Sequence, residues 1–96
     1  MSPSNKKKLN ILRNKLDKLD NSLIKIIKQR TNLVKKVLEL KNNKNQIVDK
    51  PRINKILKNI KKKSILNNID TKITKRIWSN MIWAYIDYEK RNFKKK

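Results

Sequence analysis

The chain has 96 residues, which is one domain's worth, and its 28 Lys and Arg against 7 Asp and Glu leave a formal net charge of +21. It contains no Cys and no His. Disulfides and thiolate metal sites are therefore excluded, and the commonest general base and metal ligand are missing, so any chemistry must run on cations, a few carboxylates and shape.

No apolar run reaches membrane-spanning length, and no apolar h-region follows the lysines at 6–8. These features predict a cytoplasmic protein with no membrane partner. The absence of Cys is compatible with that compartment. The charge invites a nucleic-acid reading. However, Lys, Asn and Ile dominate the chain, Gly is absent and Ala84 is the only alanine. These abundant residues have A/T-rich codons, so we assign much of the lysine to compositional drift and a solvated surface and expect no nucleic-acid partner. Against twenty-three lysines, the five arginines become informative: Arg13, Arg30, Arg52, Arg76 and Arg91. An Arg kept on or beside an apolar seam points to a task that needs the planar fork, such as gripping a carboxylate.

Residues 1–5 read as a frayed, disordered leader, with Ser4 or Asn5 as the cap of a first helix running to about Lys41. Along residues 9–41, Leu9, Leu12, Leu16, Leu19, Leu23, Ile26, Leu33, Val37 and Leu40 recur in steps of three and four, with one gap. That is a helical seam held for over four heptads. Arg30 fills the gap on schedule. Arg30, Val34, Val37 and Lys41 then share one face, two cations bracketing two valines. Asp17 and Asp20 lie at the seam's edge as partners of nearby lysines. At ~1.5 Å per residue the helix would be roughly 50 Å long, against a radius of gyration of about 12–13 Å for a compact chain of this length. The seam needs a second copy to cover it, which predicts a homodimer with the long helices packed together.

Residues 42–46 read as a polar loop. Asp49 caps a second helix with Pro51 in its first turn, and Ile53, Ile56, Leu57 and Ile60 form its apolar face. Lys61, Lys62 and Lys63 suit its C-terminus, and residues 64–69 read as a connection with Ile65 and Leu66 buried. Asp70 caps a third helix over residues 71–93, whose apolar face runs through Ile73, Ile77, Trp78, Met81, Ile82, Tyr85 and Ile86. Glu89 continues that face as a polar intruder. Residues 94–96 read as a disordered tail. The fold class is all-α: three helices in a single domain spanning residues 1–96.

Two arrangements account for the intruders. Arg30 pairs with Glu89 or with a carboxylate of another chain, or else Arg30, Lys41, Arg13 and Arg52 converge on a small polyanion. A lone carboxyl in an apolar setting tends to keep its proton, and Glu89 would then donate it to an oxygen in the site.

This ordered set resembles the all-helical (type II) chorismate mutase family. The likeness runs through Leu12-Arg13, Leu16-Asp17-Lys18-Leu19-Asp20, Leu23, Arg30, Val37 and Lys41, then Asp49 with Arg52, then Ile82, Ile86 and Glu89. The resemblance implies an intertwined helical homodimer with two equivalent pockets, each taking Arg13 from the partner chain. It implies that Arg13 and Arg30 bind the two carboxylates of chorismate. Lys41 and Glu89 would contact the ether oxygen of the breaking bond, Arg52 would add positive potential, and the Asp49 region would help hold the ring hydroxyl. Val37, Ile82, Tyr85 and Ile86 would line the pocket. The implied activity is the pericyclic rearrangement of chorismate to prephenate in phenylalanine and tyrosine biosynthesis, with no cofactor and no metal.

Three departures from the family pattern bear on this. Ile53 stands where many relatives have a Glu that engages the ring hydroxyl. Glu89 stands where relatives often have Gln, so activity should fall as pH rises. Tyr85 replaces a small hydroxyl residue, and with Trp83 it gives the third helix an aromatic character similar to isochorismate-pyruvate lyases, which share the fold. The lyase is the alternative enzyme. A basic helical nucleic-acid-binding protein is the alternative of a different class, and a plain dimerisation module would leave Arg30 and Glu89 without a purpose.

Overall fold

A computed structural model of the chain describes residues 1–95. Lys96, part of the expected disordered tail, lies outside the described residues. The described chain is all-helical, with three α-helices: α1 (Pro3–Leu40), α2 (Lys50–Leu66) and α3 (Thr71–Asn92). A 3-10 turn, Lys44–Gln46, lies between α1 and α2.

Helix α1 starts earlier than the composition of its leader implies. The cap is Ser2, not Ser4 or Asn5. The Ser2 hydroxyl accepts from the Asn5 N–H at 3.1 Å, and the Ser2 carbonyl accepts from the Lys6 N–H at 2.9 Å. Pro3 takes the first helical position, where its missing N–H costs nothing and its fixed φ already suits the helix. Residues 3–5 are therefore the first turn of the helix.

The chain divides into two units, Met1–Leu33 and Val34–Lys96, and the boundary falls within α1. The first unit is a stretch of single helix that buries none of its described residues. Leu12, Leu16, Leu19, Leu23, Ile26 and Leu33 are all more than half exposed.

The second unit holds the core. Ile47, Ile82 and Ile86 are buried, with Leu38, Val48, Ile53, Ile56, Leu57 and Phe93 packed against them. Leu38, not Val37, turns to this cluster. Helices α2 and α3 pack on each other. Asp49 caps α2 through Oδ1, which accepts from the Arg52 N–H at 3.0 Å, and Asp70 caps α3 by accepting from the Lys72 N–H at 2.8 Å. Both caps match the sequence expectation.

The end of α2 does not match it. The helix runs on to Leu66, and Ser64, expected in the connection, is helical and buried. Ser64 Oγ donates to the Ile60 carbonyl at 2.6 Å and lies 2.7 Å from Thr74 Oγ1. A hydroxyl pair thus replaces apolar packing where the two helices meet, and Ile65 and Leu66 are left exposed at 60% and 81%. The reversal is a Schellman cap: the Ile69 N–H reaches the Ser64 carbonyl, the Asn68 N–H reaches Ile65, and Asn68 sits at φ 54°. Lys95 Nζ donates to the Glu39 carbonyl.

Candidate functional site

The residues singled out from sequence fall into both units. Arg13 and Arg30 belong to the first; Val37, Lys41, Asp49, Arg52, Ile82, Tyr85, Ile86 and Glu89 belong to the second.

In the second unit the decisive contact is between Lys41 and Glu89. Lys41 follows the last residue of α1, with its N–H donating to the Leu38 carbonyl at 3.1 Å. Glu89 lies one turn past Tyr85 and Ile86 on α3, on the face that carries Ile82 and Ile86 into the core. Lys41 Nζ donates to Glu89 Oε2 at 2.7 Å. The glutamate is 7% exposed. Glu89 is thus not the lone carboxyl expected from its apolar face; burial is offset by a charge-assisted hydrogen bond.

Lys41 also helps line an open recess of ≈ 710 Å³ between the end of α1 and the start of α2, together with Val37, Asn45, Gln46, Asp49 and Lys50. Three residues expected in a pocket (Val37, Lys41 and Asp49) therefore share one concavity. Arg52 is exposed, and its backbone N–H is what anchors the Asp49 carboxylate. Ile82 and Ile86, also expected to line a pocket, are in the buried cluster with Ile47. Tyr85 is half-buried beside them in sequence. Ile53 packs against the same cluster, which turns the position away from polar recognition.

In the first unit Arg13 is exposed on α1. Arg30 is half-buried, and its Nε is fully buried with no hydrogen-bond partner among the described residues. A buried guanidinium N–H without an acceptor is costly. It is the kind of donor that an anionic ligand satisfies.

A second recess, ≈ 570 Å³, lies between α2 and α3 and is edged by Lys58, Lys61, Lys72 and Lys75. It contains none of the expected site residues. Gln46 was not picked out from sequence, where it reads as part of a polar loop. The signal was present: Asn43 and Gln46 have the spacing of a capping box.

A profile of the chorismate mutase type II family matches residues 12–90. The chain belongs to the chorismate mutase type II family. The matched span opens just before Arg13 and closes just after Glu89, so the first and last candidate residues of the chorismate mutase pattern both fall inside it. No curated protein and no solved structure matches the chain. Among the described residues of this chorismate mutase family member, no helix is long and apolar enough to cross a membrane.

Proposed function

We propose that the protein is a chorismate mutase, converting chorismate to prephenate by a pericyclic rearrangement, and that it serves phenylalanine and tyrosine biosynthesis in the cytoplasm. The observation that carries this reading is the Lys41–Glu89 pair. Two polar side chains 48 residues apart meet at 2.7 Å, the carboxyl buried, in a chain of that family. The rearrangement needs no nucleophile and no proton relay, which suits a chain without His or Cys.

The work left to the protein is of two kinds. It must hold a flexible dianion in its compact reactive shape, and it must stabilise negative charge that grows on the ether oxygen as the bond breaks. We assign the first task to Arg13 and Arg30, one for each carboxylate, with Arg52 adding positive potential. The buried, unpartnered Nε of Arg30 supports this. We assign the second to Lys41 and Glu89. Asp49 faces the ring hydroxyl.

The active form in this reading is a homodimer. The seam residues from Leu12 to Leu33 stand exposed in the first unit, at 56% for Leu12 and 65% for Leu19, and a second copy of the same seam is the natural cover. Arg13 then reaches the pocket of the partner.

One observation favours a second reading. Ile53 packs into the core where a carboxylate would otherwise meet the ring hydroxyl, so an isochorismate-pyruvate lyase acting on a related dianion is the alternative. Purified protein incubated in parallel with chorismate and isochorismate separates them. Prephenate from chorismate, lost in Arg30→Ala, establishes the mutase. Pyruvate and salicylate formed faster from isochorismate move the function to the lyase. Silence on both substrates rejects the enzyme, and steeply salt-dependent binding of nucleic acid would then take its place.

A further inference from the structure

Gln46 ends the 3-10 turn and fastens the loop after α1 with its side chain. Its Oε1 accepts from the Asn42 N–H at 2.5 Å and from the Asn43 N–H at 3.3 Å. Two N–H donors at one end of the amide decide which end is oxygen, because the flipped amide would set its own N–H groups against them. The Nε2 group is thereby oriented, and it has no protein partner among the described residues.

Gln46 and Asp49 line the same recess as Lys41 and Lys50. Asp49 uses Oδ1 on the Arg52 N–H, which leaves its second oxygen as an acceptor. A donor and an acceptor on one concavity match a hydroxyl, which both accepts and donates. Resting on the mutase reading above, we infer that Gln46 Nε2 donates to the ring hydroxyl of the substrate while Asp49 accepts from it. Gln46 is then a specificity-determining residue: it supplies a hydroxyl contact that Ile53, packed into the core, does not. The amide is already held by the backbone, so little side-chain freedom is lost on binding.

Gln46→Glu separates the two jobs of the side chain. A carboxylate still accepts from Asn42 and Asn43, so the loop stays fastened, but the donor is gone. Gln46→Met removes both functions. The measurement is kcat/KM for chorismate and for its analogue lacking the ring hydroxyl, with thermal midpoints recorded for each variant. Gln46→Glu should lose about tenfold or more on chorismate and little on the deoxy analogue. Gln46→Met should show the same selective loss, with a lowered midpoint. Unchanged turnover in Gln46→Glu, or an equal loss on both substrates, would overturn the assignment while the mutase reading stands. A wild-type protein inactive on chorismate would remove the mutase reading, and this assignment with it.

Discussion

Lys41 and Glu89 are joined by a 2.7 Å hydrogen bond that links the end of α1 to the last turns of α3. In the resting protein the ammonium that should meet the ether oxygen is held by the carboxylate that should meet it too. A carboxylate cannot donate to the ether oxygen, whereas an amide can. Glu89→Gln removes the charge that holds Lys41 and supplies a donor in its place, and it should raise kcat/KM for chorismate. A variant less active than the wild type would sink the assignment. Lys41→Met should lower kcat by about a hundredfold or more, the scale of losing one preorganised charge stabiliser.

Arg30 presents a trade between stability and activity. Its buried Nε has no acceptor among the described residues, an arrangement that costs about 1–3 kcal/mol. Arg30→Met keeps an unbranched stem as far as the position of Nε and removes the orphan donor. We expect a higher thermal midpoint in the absence of ligand, together with loss of chorismate turnover. A midpoint lowered by this change would mean that Arg30 has a structural partner.

The dimer reading makes a mixing prediction. If Arg13 crosses to the partner's pocket while Arg30 stays in its own, Arg13→Ala and Arg30→Ala proteins should each be inactive alone. Unfolded together and refolded, half of their dimers are mixed, and each mixed dimer has one intact pocket. Roughly a quarter of wild-type activity should return. No recovery would place both arginines in the pocket of one chain.

The Ser64–Thr74 pair predicts unequal costs. Thr74→Val leaves Ser64 still donating to the Ile60 carbonyl, whereas Ser64→Ala leaves Thr74 only the Thr71 carbonyl at 3.4 Å. Chemical denaturation should show Ser64→Ala costing about 1–2 kcal/mol and Thr74→Val less. Equal costs would assign the pair to packing alone.

Asn68 tests the Schellman cap. At φ 54° a side chain with a Cβ is strained, and Asn tolerates the region better than most. Asn68→Ala should destabilise by ~1 kcal/mol, and Asn68→Gly should stabilise by a few tenths. A stable Ala variant in denaturant melts would show that the turn is free to change conformation.

What was legible in the sequence was local and periodic. The seam of α1, the caps at Asp49 and Asp70 and the all-helical class follow from spacing and from short-range hydrogen bonding, and all are present in the structure. Arg30 announced itself because a cation broke an apolar repeat. The tertiary structure decided what each intruder meets. Glu89 takes Lys41 as its partner, Ser64 is drawn into α2 by a hydroxyl on α3, and the amide of Gln46 is turned by two N–H groups of its own loop. The Lys41–Glu89 contact joins the residue after α1 to α3, the Ser64–Thr74 contact joins α2 to α3, and a periodicity says which face a residue occupies without saying what is packed against that face. The capping-box spacing of Asn43 and Gln46 was in the sequence, but which end of the amide meets the loop's N–H groups is decided by hydrogen-bond geometry and not by any repeat.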